Sequence, residues 1–463
     1  MVKKNSIHLP KDSQKLASVD RDLPIVDTSE FILGNAVIIP GPFIPVLEDG
    51  ALLIRGGKII ETGPSKTIQK NHPDTLFIDA GSSIIIPGLF NSHTHVPMGF
   101  FRGLGHGRVN MIESFLFPAE KSLSLELLEP LSYSYIVDGI RGGVTSFVDH
   151  YYFSAGVAKA FERIGARAWI GETIADLGGA FPGDDSWKRA QSLIEKSSFS
   201  NLIRFTVAPH AADTVSPSLL KRCADYAKSN GLPLHMHLSQ SDGELKRVFN
   251  RDGMSPVQAA VKAGALSEKS LVVHLTSASD ADFKLVKESG ATMGYCPTST
   301  VLYDHLANIK LADALDIPMA IGTDCAASND SADCLAELKI AGILARNARI
   351  PETRISPDHL LAMVTTIPAR ALGVENEVGT LEQGKLADLV VLRSSISALP
   401  RSNVLANVIY SMGSRDVTHV MTSGNWRLWK GKVTEADENT LTRDYMAAVH
   451  EIGRRIAPGS LKI

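Results

Sequence analysis

Four short apolar runs in this chain end on side chains that bind metal ions or move protons. SIIIPGLF leads into His93 and His95, LPLHMHL carries His235 and His237, SLVVHL carries His274, and PMAIGTD closes on Asp324. Side chains along a strand alternate in direction, so His93 and His95, two apart, share a face and can grip one ion. His235 and His237 obey the same rule. His237, nearer the strand end, is the expected ligand, with His235 a support behind it. Asp324 offers a carboxylate that can both hold a cation and take a proton from water activated there, although a residue at such a place can instead cap the next helix. An HxH pair alone is a weak signal that core or surface histidines can mimic. Its place at the end of an apolar run is what points to metal chemistry.

Side chains at strand ends need a frame that brings those ends together. Eight β-type runs alternate with helical stretches: SIIIPGLF, GVTSFVDH, ARAWIGE, IRFTVAPH, LPLHMHLS, SLVVHLTS, ATMGYCP and PMAIGTD. Alternation at that repeat number predicts an α/β chain folded as a (β/α)8 TIM-type barrel, whose reacting residues sit at the carboxyl ends of the strands. A doubly wound open sheet is the rival, but no Gly-rich phosphate turn stands where that fold needs one. On either side of the barrel the text changes to short β-rich runs separated by Gly-containing turns: FILGNAVIIP, ALLIRGGKIIETGP and LFIDAGSSIIIPG before it, GTLEQGKLADLVVL and DVTHVMTSGNWRLWKGKV after it. These predict a small composite β-sandwich domain from residues 28–86 and 376–433, around a barrel over 87–375. Residues 1–27 read as a polar N-terminal arm, and 434–463 as a C-terminal helix.

With 463 residues, 44% hydrophobic and 21% charged, the chain can bury a large core. Its formal charge of -3 shows no basic excess, so a small-molecule substrate is expected, with no nucleic acid and no membrane partner. Four cysteines without CxxC spacing, and a start without an apolar leader, point to the cytoplasm. Cys296 and Cys325 read as buried inert thiols, and His106 as a surface histidine that could also belong to a lid.

The segments PGLFNSHTHVPM, HMHLSQ, VVHL and GTDCAASND, followed by ARALG and GTLEQGKLADLVVL, resemble the amidohydrolase superfamily over residues 30 to 433. Within it, the chain looks most like the methylthioadenosine/S-adenosylhomocysteine deaminases and the chlorotriazine hydrolases. The resemblance implies one divalent ion per subunit, zinc first and iron as the alternative, held by His93, His95, His237 and Asp324, with His274 beside the activated water. It further implies substrate contacts from Glu120 in FLFPAEK and His210 in VAPH, and a homo-oligomer, dimer or larger.

One position departs from that pattern. Three residues after the strand-five ligand, similar deaminases carry a proton-shuttling glutamate, whereas this chain has Gln240. A glutamine donates and accepts hydrogen bonds but exchanges no proton at neutral pH. Another acid could replace the glutamate: Asp242, Glu244 or Glu172. Alternatively, the leaving group could need little protonation, or His274 and Asp324 could manage both proton steps. Glu172, ending the third strand where relatives offer an arginine, would favour a neutral or cationic substrate if it points into the pocket. The expected function is therefore a metal-dependent hydrolytic deaminase of an amino-substituted N-heterocycle. Cleavage of a C–Cl, C–S or urea-like C–N bond at the same metal, and a non-catalytic binding protein, are the alternatives.

Overall fold

The computed structural model describes residues 29–108, 110–303, 305–352 and 354–456. The expected N-terminal arm lies outside the described residues. The barrel strands are β1 (Leu89–Thr94), β2 (Val144–Tyr151), β3 (Arg167–Ile174), β4 in two pieces (Ile203–Phe205 and Ala208–Pro209), β5 (Leu234–Leu238), β6 (Ser270–His274), β7 (Thr292–Tyr295) and β8 (Met319–Ile321). Parallel pairing runs through β1 to β4 and again through β5 to β8. Bridges between Val207 and Leu234 and between Thr94 and Asp324 join the two halves into a closed ring. The strands read as unbroken apolar runs because helices cover their outer faces and side-chain layers fill the inside. β5, β6 and β7 are buried at every residue.

The helices between strands start and stop on local signals. Ser255 and Gln258 form a reciprocal capping box at the start of Pro256–Ala263, and Gly264, at φ 74°, ends that helix in the left-handed region. The tail helix Glu438–Arg455 lies against Leu125–Arg141, tied by Arg141 to Glu438 at 2.6 Å.

Among the described residues, nine strands from both ends of the chain form one hydrogen-bonded sheet, the second domain. Within it, Glu30–Ile38 pairs with Leu47–Arg55 along one edge, with register shifts around Ala36, and along the other edge first with Phe77–Asp79 and then with Ile84–Ile85. Phe31, Leu33, Leu52, Ile54, Leu389 and Met421 fill its core. The apolar run expected as one barrel strand, SIIIPGLF, is divided here. Ile84–Pro87 pairs with Leu389–Leu392 in the β domain, and the barrel begins at Leu89. Gly88 makes the passage possible, since a Cβ there would stand 2.3 Å from Thr145 Oγ1.

A buried ion pair fastens the two domains. Arg167, at the foot of β3, donates to both carboxylate oxygens of Asp388 and to Ser423 Oγ, and Asp388 also accepts from the Ser423 N–H. Both charges are almost wholly buried. Asp388→Ala would leave the guanidinium buried and unpaired, an expected loss of about 3–5 kcal/mol. Thermal unfolding checks this: a clear fall in the midpoint is expected for the single variant, and a smaller one when Arg167→Met is added.

Candidate metal centre

Two overlapping groups of ligand atoms gather at the carboxyl ends of β1, β5, β6 and β8: His93, His95 and His237, and His93, His274 and Asp324, the atoms of each within 4.8 Å of one another. Their hydrogen bonds fix which nitrogens carry protons. His95 Nδ1–H donates to the His150 carbonyl, and His237 Nδ1–H to the His210 carbonyl at 2.9 Å. Each ring therefore presents a lone pair at Nε2, and the two Nε2 atoms face each other at 3.2 Å. Only a shared proton or a cation relieves that contact. Burial disfavours the proton, holding His93 down at about 3 and lowering His95 and His237 from the usual imidazole range. His93 Nε2 has no hydrogen-bond partner and lies 3.6 Å from Asp324 Oδ1, which is 3.5 Å from His95 Nε2. Converging neutral imidazoles with one carboxylate are the donor set that a divalent ion of the zinc type takes.

The chain holds Asp324 in place through several contacts. Ser299 Oγ donates to Oδ2 at 2.7 Å, and the Cys325 N–H donates to Oδ1 at 2.9 Å, bonds that favour the ionised carboxylate. Asn91, two residues before His93, bonds Thr323 from both ends of its amide, and the Asp324 N–H donates to the His93 carbonyl. The asparagine of the NSHTH segment thus aligns β8 on β1. His274 and Asp324 lie at φ 84° and 63°, a costly region for side-chain-bearing residues and common where a site constrains the backbone. Both ring nitrogens of His274 are buried without a partner, and its ring stacks on His237 at 5.5 Å.

A cavity of ≈ 540 Å³ opens over these groups. Glu120, His210 and Gln240 line it, as does Glu244. Tyr151 Oη–H donates to Glu120 Oε1 at 2.8 Å, and burial pushes the Glu120 carboxyl up to about 8. His210 bonds Thr214 Oγ1 through Nδ1 at 2.8 Å, and burial lowers it to about 4. Glu244 spends its two oxygens on the N–H groups of Ser239 and Gln240, so it shapes the turn that presents Gln240. Asp242 is exposed and accepts from Ser277 Oγ.

Glu172 corrects an expectation, for it is not among the cavity-lining residues. Its carboxylate accepts from the N–H groups of Phe153 and Ser154, at the start of helix Ser154–Ile164, and from Arg189 Nε at 2.6 Å. A helix N-terminus and a guanidinium outcompete the pocket for this buried charge.

Sequence reasoning passed over the end of β2. The Asp149 carboxylate accepts from Val96 N–H at 2.7 Å and from Thr94 Oγ1, fixing the turn after His95. His150 is buried in the cavity wall, its ring 4.9 Å from that of His237. The polar pair closing GVTSFVDH is the signal that could have found them. His106 is exposed and pairs with Asp330 at 2.6 Å. Cys296 and Cys325 are buried thiols outside any disulfide, the latter pushed up to about 12 by burial.

The profile of the amidohydrolase family matches residues 84–427. A 5-methylthioadenosine/S-adenosylhomocysteine deaminase from Syntrophobacter fumaroxidans is 32% identical, the match covering 89% of this chain and 94% of that protein. Among solved structures, an adenosine deaminase from Xanthomonas campestris with bound zinc superposes with a TM-score of 0.85 at 27% identity, over 92% of this chain and 99% of that one. An atrazine chlorohydrolase from Arthrobacter aurescens, complexed with zinc, shares the fold with a TM-score of 0.80 at 20% identity, over 90% of this chain and 100% of that one.

Proposed function

This chain belongs to the amidohydrolase family, and from that membership we propose that it is a metal-dependent hydrolytic deaminase acting on an amino-substituted N-heterocycle, purine-nucleoside-like or related. The observation that carries the reading is the pair of imidazole lone pairs of His95 and His237, facing each other beside Asp324 at the floor of a cavity lined by Glu120 and His210. The deaminases similar to this chain support the C–N bond as the one hydrolysed.

In this reading, His93, His95, His237 and Asp324 hold one zinc ion per subunit. When bound, the ion supplies Lewis acidity that lowers the pKa of water from about 15.7 toward about 7. Asp324, held in place by Ser299 and the Cys325 N–H, accepts the proton of the attacking water. His274, with both nitrogens free, orients the attacked group. Gln240 lines the cavity and holds the ring by hydrogen bonds alone. Glu244 is engaged by backbone N–H groups, Glu172 by Arg189 and a helix start, and Asp242 stands exposed, so the proton for the leaving amine is assigned to Asp324 or His274 in preference to these three. Gln240 also favours a second reading, displacement of a leaving group that needs little protonation, such as halide or thiolate.

Elemental analysis with an ammonia-release assay tests the proposal. Bound zinc and ammonia from at least one aminopurine, aminopyrimidine or aminotriazine are expected. A zinc-loaded protein that frees ammonia from none of them, yet dechlorinates a chlorotriazine, would give the second reading precedence.

Glu120 adds a pH dependence. With its carboxyl at about 8, it is neutral at pH 7 and donates a hydrogen bond. As pH rises through that value the donor is lost, so kcat/KM is expected to fall by about tenfold per unit above it. Glu120→Gln keeps a neutral donor at all pH and is expected to flatten that alkaline limb. A pH profile that is identical in both proteins would remove Glu120 from substrate binding.

No helix among the described residues is long and apolar enough to cross a membrane. We place the enzyme in the cytoplasm as a dimer or larger assembly. Four buried cysteines outside any disulfide support the first, and size-exclusion chromatography with light scattering tests the second.

A further inference from the structure

His235 shares with His237 the HxH spacing that makes paired ligands of His93 and His95, yet its nitrogens are not among the ligand atoms gathered within 4.8 Å. It is fully buried one pleat deeper in β5, with Nε2 2.8 Å from His93 Nδ1. The direction of that bond follows from the other end of the His93 ring. His93 Nε2 is the atom that faces Asp324, and a neutral imidazole with its lone pair at Nε2 carries its hydrogen at Nδ1. His93 therefore donates to His235, and His235 accepts through Nε2. The contrast with the other two imidazoles gives this bond its weight. His95 and His237 are oriented by backbone carbonyls, those of His150 and His210. Of the three, His93 is the one whose tautomer and ring angle hang on a replaceable side chain.

We propose that His235 is a positioning residue that fixes the tautomer and orientation of His93 and thereby sets how tightly the centre holds its ion. The proposal rests on the reading of His93 as a ligand. An outer partner of a metal-bound imidazole is worth about 10–100-fold in metal affinity.

The test uses the full chain and zinc alone, so no substrate is needed. Zinc affinity is measured by competition with a chromophoric chelator, and the cobalt(II)-loaded protein gives a visible spectrum that reports ligand geometry. His235→Leu, similar in bulk but unable to accept, is expected to weaken zinc binding by about 10–100-fold and to change the cobalt spectrum. His235→Gln, whose Oε1 can accept from His93 Nδ1–H, is expected to recover most of the affinity and the parental spectrum. Thermal unfolding of the metal-free proteins separates loss of the hydrogen bond from loss of the fold. Should the leucine variant fail to fold, His235→Asn, too short to reach His93, takes its place against glutamine. Equal zinc affinity in the parent and the non-accepting variant would overturn the proposal and leave the metal reading standing, as would equal weakening in the glutamine variant. A parent chain that binds no zinc would overturn both.

Discussion

Asp324→Asn is expected to lower kcat by about 10²–10⁴-fold while the protein stays folded and keeps most of its zinc. With its oxygen in the Oδ1 position the amide still accepts from the Cys325 N–H, and its NH2 in the Oδ2 position can donate to Ser299 Oγ once that hydroxyl turns round, so the loop after β8 has little cause to rearrange. What the substitution removes is the capacity to take and return a proton. In many sites that loss is softened by a neighbouring acid. Here two acids that could take over are already engaged: Glu244 holds the turn at Ser239 and Gln240, and Glu172 is committed to Arg189. Gln240 cannot substitute for either. Steady-state kinetics on variant and parent matched for zinc content check the result. A kcat within about threefold of the parent would show that proton transfer runs through another group and would shift attention to His274.

The readable part of this site was the part set by local alternation. His93, His95, His237 and Asp324 each end an apolar run, and strand geometry alone tells that residues two apart share a face. Asp149 and His150 end a run just as clearly, but adjacent residues point to opposite faces, so the pair lacks the i, i+2 spacing that marks paired ligands. Glu172 ends the run ARAWIGE with the same credentials and yet serves a helix start and an arginine 17 positions on. Nothing local distinguishes a carboxylate aimed at a pocket from one aimed at Arg189. The alternation of strands and helices made the barrel readable, but not where it begins. In SIIIPGLF every residue from Ile84 to Phe90 is buried, so hydrophobicity does not change where the chain leaves the β domain. Only Gly88, and the Thr145 side chain that fills its missing Cβ, mark the passage.

Close backbone approach also makes Gly322→Ala the substitution with the largest expected structural effect on the centre. Gly322 lies between β8 and Asp324, where a Cβ would stand 2.6 Å from the His93 backbone nitrogen, 2.7 Å from its Cβ and 2.9 Å from its carbonyl oxygen. No side-chain rotation relieves three such contacts, because two are to backbone and the third is a Cβ. The strands would have to part. They are not free to do so, since Gly322 N–H is bonded to the Tyr295 carbonyl on one side and Asp324 N–H to the His93 carbonyl on the other. Overpacking of this kind costs about 1–3 kcal/mol or more, and here it falls on the seam that closes the ring. It also separates His93 from Asp324, and metal sites tolerate only about 0.2 Å in ligand distances. A lower unfolding midpoint is expected together with zinc affinity weakened by at least about tenfold, measured by calorimetry and chelator competition. Gly413→Ala, whose Cβ would meet nothing within 4 Å, is the control and is expected to change neither. If Gly322→Ala bound zinc like the parent, the ends of β1 and β8 would not be held as closely as their hydrogen bonds imply, and the metal centre could not owe its geometry to that closure.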